Sequence, residues 1–229
     1  MIYPIVFIHG SGGTGEVWHA QRAAFPQAHA PSLPGHTTPG APISIAEFVE
    51  FLHDYIGRLG TRKAITVGNS LGGAITMLHA LQYPAEVAAT VVIGSGAKLR
   101  VAPRILAGLE ANFDAAATEL ASSMFAAQDA ELQAEIVAQM QRVGRDQTLR
   151  DFRACDAFDV SEQLPAFAVP FLAITGSKDA MTPPKYGMFL RDRIIGGQYR
   201  EIEGAGHLAM LEAPELVNAA LSEFIDRLH

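Results

Sequence analysis

The chain has 229 residues, 49% apolar and 18% charged, and its 17 Lys and Arg against 24 Asp and Glu give a formal net charge of -7. That length suits one ordinary domain, or one domain with an insertion, and the composition excludes a disordered chain. An acidic total with dispersed cations argues against a nucleic-acid partner, and a single cysteine, Cys155, excludes a disulfide scaffold or a cysteine-based zinc cluster.

The first predicted element is the strand Ile5–His9, an apolar run without the basic leader of a secretory signal. No run approaches the roughly 20 apolar residues of a membrane span, so a cytoplasmic protein with no membrane partner is expected. Gly10-Ser11-Gly12-Gly13-Thr14-Gly15 follows as a glycine-rich loop. It matches neither G-x-x-x-x-G-K-[ST] nor a dinucleotide fingerprint with its downstream acid, which argues against nucleotide binding. Trp18 beyond it reads as structural. His29–Leu33 is the second strand candidate, leading into Leu33-Pro34-Gly35-His36.

Ser44 and Glu47 have the spacing of a capping box, opening a helix with Ile45, Phe48, Leu52, Tyr55, Ile56 and Leu59 on one face. The strand Ala64–Gly68 then runs into Gly68-Asn69-Ser70-Leu71-Gly72-Gly73 and a helix over Leu71–Tyr83, stopped by Pro84. This is G-x-S-x-G between a strand and a helix, the setting in which the serine is a strained, exposed nucleophile. The plainer alternative is a glycine-rich turn with a capping serine. Strand–turn–helix context favours the nucleophile, Ser70.

A strand at Thr90–Gly94 is followed by about 75 residues before the next at Phe171–Thr175, far more than a crossover needs. The surplus reads as an inserted helical cap over 98–164, dividing a core of 1–97 and 165–229. Met124, Phe125, Met140, Phe152 and Phe158 are its candidate pocket residues, although apolar helix faces usually bury against their neighbours. Cys155 has no base nearby in sequence and reads as a buried, inert thiol.

After the strand at Phe171–Thr175, Gly176-Ser177-Lys178-Asp179 places a carboxylate in a post-strand turn, where a helix cap is the ordinary alternative. The strand Tyr199–Ile202 precedes Gly204-Ala205-Gly206-His207, a loop on which a histidine could serve as base. The other histidines fit less well: His9 ends a strand, His36 sits in a turn, and His53 and His79 lie inside helices, where a satisfied or exposed imidazole is expected. His19 and His29 have no motif around them. A last helix, with Pro214 in its first turn, carries Leu216, Val217, Leu221, Phe224, Ile225 and Leu228.

Short buried strands alternating with helices predict an α/β fold with a mostly parallel sheet of about six strands. The order Ser70, Asp179, His207 is the one expected for this elbow. An oxyanion hole would join the Leu71 N–H to an amide of the first glycine loop, Ser11 first and Gly12 second.

Taken together, the His9-Gly10 loop, Leu33-Pro34-Gly35-His36, the Gly68–Gly73 elbow, Gly176–Asp179 and Gly204–His207 resemble the α/β-hydrolase family over nearly the whole chain outside the cap. The family commonly has eight strands, two of them before the first seen here, so a trimmed sheet is implied. Within it, Ser70 resembles esterases, lactonases and carbon–carbon bond hydrolases, whereas dehalogenases and epoxide hydrolases carry aspartate there. Asn69 with the doubled glycine is similar to the carbon–carbon hydrolase elbow, but simple esterases have similar strings. The reading is acyl transfer on a small-to-medium apolar ester or related carbonyl compound, with no metal or cofactor required. Ligand-sensing receptors of the same fold, and transfer to an acceptor other than water, are the alternatives.

Overall fold

A computed structural model describes residues 3–37 and 44–228. Five strands, β1 (Ile5–Ile8), β2 (Ala64–Asn69), β3 (Val87–Ile93), β4 (Phe171–Gly176) and β5 (Gln198–Ile202), lie side by side in chain order, every adjacent pair parallel. The first four strands read as unbroken apolar runs because both faces of the sheet are covered. Alternate residues point to opposite faces: Phe7, Val67, Val91 and Ile174 join one core, while Val6, Ile8, Val92 and Ala173 join the other. β5 is one edge of the sheet, and its sequence Gln-Tyr-Arg-Glu-Ile leaves Arg200 and Glu201 in solvent.

The sheet has one strand fewer than expected. The His29–Leu33 run makes a single parallel bridge, His29 to Val6, and goes no further. Pro31 has no amide to give a ladder. The next apolar residue, Leu33, donates its N–H to the His9 ring instead, at 2.9 Å.

The helices are α1 (His19–Ala24), α2 (Ile45–Arg58), α3 (Leu71–Gln82), α4 (Pro103–Ala111), α5 (Phe113–Met124), α6 (Ala130–Val143), α7 (Arg145–Ala157), α8 (Pro184–Arg193), α9 (Ala209–Glu212) and α10 (Pro214–Asp226). α2 begins at the expected capping box: Ser44 Oγ accepts from the Glu47 amide, and the Glu47 carboxylate accepts from the Ser44 amide. One face of α2 buries Phe48, Leu52 and Ile56. α3 is apolar nearly all round and almost wholly buried, as a helix packed between the sheet and α2 must be.

The long connection between β3 and β4 holds α4 to α7, and its two ends are pinned together. Lys98 and Asp159 form an isolated antiparallel bridge and an ion pair at 2.6 Å, and the Val160 amide donates to the Ala97 carbonyl. Elsewhere in this connection, the Met124 carbonyl accepts the His207 amide at 2.8 Å. Glu212 also accepts the Ala126 amide, at 2.7 Å. The α5–α6 turn is thus fastened to the loop after β5.

Candidate active site

Ser70 stands between β2 and α3 with φ 52° and ψ -115°, alone among the described non-glycine residues in having a positive φ. The neighbours of the turn must be glycine. A Cβ on Gly68 would run into the Gly72 carbonyl, and one on Gly72 would meet the Ile8 and His9 carbonyls. The Ser70 amide donates to the Ile93 carbonyl and its carbonyl accepts from Ser95 Oγ, so strand β3 holds the turn in place. Asn69 braces the turn from below, its side-chain N–H groups donating to the carbonyls of Ile93 (3.0 Å) and His207 (3.3 Å).

His207 is buried, with Nδ1 3.0 Å from Asp179 Oδ2 and 3.1 Å from Thr182 Oγ1. An Nδ1 facing a carboxylate carries the proton in the neutral ring, so Nε2 is left as the basic atom. Asp179 is itself well held. Its Oδ1 accepts the Met181 and Thr182 amides, and its Oδ2 accepts the Thr182 hydroxyl at 2.7 Å. Burial alone would raise the Asp179 pKa, but the His207 charge and the hydrogen bonds from His207 and Thr182 outweigh it and hold the carboxyl below the usual range. Gly94 leaves the necessary space, since a Cβ there would sit 2.8 Å from the His207 carbonyl and 3.2 Å from Asp179 Oδ2.

Ser70 and His207 border one small cavity of about 30 Å³, together with Ser11, Gly12, Met124, Met140 and Phe152. A second lobe of about 50 Å³ shares Ser11, Ser70, Phe152 and His207 and extends toward Val101, Cys155 and Tyr186. Three of the five expected cap residues therefore reach the site. Phe125 and Phe158 do not line it. Phe125, just past the end of α5, packs into the core, and Phe158, just past α7, borders a separate groove with Ser44 and Ile45. The sequence reading missed Ile136, Met181 and Leu208, which also line the first lobe.

The glycine loop after β1 discriminates between its own amides. Gly12 N–H donates to Asp151 Oδ2 at 2.8 Å, Thr14 N–H to Gln139, and Gly13 N–H to the Gly10 carbonyl. The second choice for an oxyanion donor, Gly12, is therefore already occupied. Among the described residues the Ser11 and Leu71 amides carry no such bond.

Asp151 and Gln139 come from α7 and α6, so helices of the β3–β4 connection hold the loop's shape. The same Asp151 Oδ2 lies 2.8 Å from His36 Nε2, and Gln147 donates to Oδ1. Burial would lower the His36 pKa, but the Asp151 hydrogen bond and charge overcome this and raise it. His9 stacks edge-on to His36 with ring centroids 4.7 Å apart. Burial and that neighbour push the His9 pKa down to about 3. His9 is thus a neutral ring, giving Nδ1–H to the Gly10 carbonyl and accepting the Leu33 amide at Nε2. Neither ring lines the cavity beside Ser70.

Comparison with known proteins agrees with this architecture. The chain is 31% identical to a solved structure described as a thermophilic esterase, with a TM-score of 0.87, over 98% of this chain and 90% of that one. It is 29% identical to a 2-succinyl-6-hydroxy-2,4-cyclohexadiene-1-carboxylate synthase from Enterobacter sp. (strain 638), over 96% of this chain and 91% of the relative. It is 26% identical to the putative non-heme bromoperoxidase BpoC of Mycobacterium tuberculosis (strain H37Rv), over 96% and 93%. These names span several chemistries. The sequence pattern of the alpha/beta hydrolase family matches residues 5–220, nearly the whole chain, and this protein belongs to that family.

Proposed function

We propose that the protein is a serine hydrolase that cleaves small-to-medium apolar carboxylic esters through an acyl-enzyme. The observation that carries this reading is the strained Ser70 sharing a cavity with His207, whose Nδ1 faces Asp179 at 3.0 Å. The likeness to an esterase at 31% identity supports the same reaction class.

In the proposed cycle His207 Nε2 takes the Ser70 proton as Oγ attacks the ester carbonyl. The Ser11 and Leu71 amides receive the negative charge that forms on the carbonyl oxygen. Asp179 keeps the imidazole in the required tautomer and stabilises its cation, while Thr182 fixes both. His207 returns the proton to the departing alkoxide, and water then repeats the sequence to release the acid and Ser70. Residues 98–164 act as the cap, and residues 1–97 with 165–229 as the catalytic core. Met124, Met140 and Phe152 supply an apolar wall for the acyl group. With lobes of about 30 and 50 Å³ beside Ser70, a short acyl chain fits with movement of the two flexible methionines.

The test is hydrolysis of a p-nitrophenyl ester series, acetate to decanoate, by wild type and Ser70→Ala. The expected results are a preference for short chains and a loss of at least about a thousandfold in the variant. Comparable hydrolysis by purified Ser70→Ala would overturn the mechanism. Covalent labelling of Ser70 by a fluorophosphonate without sustained turnover would point instead to a ligand sensor.

A further inference from the structure

His79, inside α3, contradicts the expectation of a satisfied or exposed helical histidine. Its side chain is wholly buried, and neither Nδ1 nor Nε2 has a hydrogen-bond partner. A buried polar group without a partner costs free energy and calls for an explanation. Glu86, in the turn after α3, brings Oε2 to 3.7 Å from His79 Nε2, beyond hydrogen-bond reach. The same Oε2 lies 2.9 Å from Nδ1 of His53 on α2. The three side chains present one ligand atom each, all within 4.8 Å of one another.

We propose that His53, His79 and Glu86 form a binding site for a zinc-class divalent transition-metal ion, completed by water. Two ligand atoms at about 2.1 Å from a tetrahedral zinc stand about 3.4 Å apart. The two separations involving Glu86, 2.9 and 3.7 Å, bracket that value. The third, from His53 to His79, is within 4.8 Å, and the side chain of His53, 35% exposed, is the one free to move and close it. Binding requires Nδ1 of His53 to be free of its proton, so that its lone pair can hold the ion.

The surroundings suit a cation. Glu50 and Asp54 on α2 add their negative charge around His53. Tyr83 stacks on the His53 ring with centroids 4.2 Å apart, and its hydroxyl donates to Glu50 at 2.7 Å. Two imidazoles in a set of three select a borderline ion of this class over magnesium or calcium. The site lies nine residues along α3 from Ser70, about 13 Å by helical rise, at the far end of the helix. It is a clamp between α2 and α3 and takes no part in ester cleavage.

The experiment is calorimetric titration of zinc chloride into tag-free, EDTA-stripped full-length protein, alongside thermal unfolding. The expected result is one ion per chain. Saturation at a hundredfold over the dissociation constant should raise Tm by about 5–10 °C. His53→Ala and Glu86→Gln, both at partly exposed positions, should each weaken zinc at least about tenfold while keeping the wild-type circular dichroism spectrum. His79→Leu, which removes the orphaned ring, should unfold at or above the zinc-free wild-type temperature yet show no rise with zinc. Absence of binding by wild type, or wild-type affinity in His53→Ala and Glu86→Gln, overturns the proposal.

Discussion

Asp151 Oδ2 and His36 Nε2 meet at 2.8 Å with both side chains completely excluded from solvent, although 115 residues separate them in the chain. One carboxylate oxygen holds two partners, since the Gly12 amide also donates to it at 2.8 Å. The pair therefore joins α7 to the glycine loop beside Ser70. Removing one partner of a buried pair strands the other, so Asp151→Ala is expected to cost about 3–5 kcal/mol in urea unfolding. Turnover by the folded fraction should fall about tenfold to a hundredfold, because the loop carrying Ser11 loses its anchor.

The same pair sets a pH dependence. The native pKa of His36 is raised above its ordinary 6.5, so its protonated form is stabilised by folding. That contribution is complete below 6.5 and is lost as pH climbs through the native value. Asp151→Asn should flatten this alkaline decline, measured as unfolding free energy at successive pH values. An unchanged slope would show that another group is responsible. His9, the other titratable ring against His36, stays neutral there because its own pKa is about 3.

Thr182 gives a second, sharper test of positioning. Thr182→Val keeps the shape and removes the hydroxyl that donates to Asp179 Oδ2 and lies 3.1 Å from His207 Nδ1. Losing that bond should raise the Asp179 pKa and let the histidine wander. A drop of about tenfold in kcat is expected, on the scale of one charge-assisted hydrogen bond, with KM little changed. The acid limb of the pH–rate profile should move upward, and Thr182→Ser should restore both. A purely structural role for the residue would leave that limb in place.

Ser70 tests whether the proposed chemistry is held at a cost in stability. A non-glycine residue at φ 52° carries about 1–3 kcal/mol of strain, partly offset by the greater freedom of glycine in the unfolded chain. Ser70→Gly should therefore abolish turnover while raising Tm by a few degrees, about 1 kcal/mol of stabilisation. A lower Tm in that variant would mean that the turn is held by the serine side chain.

Cys155 tests the accessibility of the second lobe. Its thiol pKa is pushed up to about 12, chiefly by burial, and its Sγ lies 3.5 Å from Ser11 Oγ. Native protein at pH 8 should react with a disulfide reagent only at the rate of unfolding, and stoichiometrically in urea. Fast labelling without urea would reveal an opening of the lobe toward Tyr186.

By itself the sequence determined the features that are local in the chain. Gly68–Gly73 between a strand and a helix, the carboxylate after β4 and the glycine-flanked His207 are each legible because a few consecutive residues fix their backbone geometry. The parallel α/β architecture is legible for the same reason, as apolar runs alternating with amphipathic helices. Tertiary structure decided the rest. The His29–Leu33 run reads as a sixth strand, but a proline and a side-chain bond to His9 limit it to one bridge. Met124 reaches the cavity and its neighbour Phe125 does not, a matter of side-chain direction at a helix end that composition leaves open. The engagement of the Gly12 amide by Asp151, and the meeting of His53 and His79 with Glu86, depend on partners brought together from different helices and loops. Such contacts are set by how helices dock on the sheet, and no spacing along the chain encodes them.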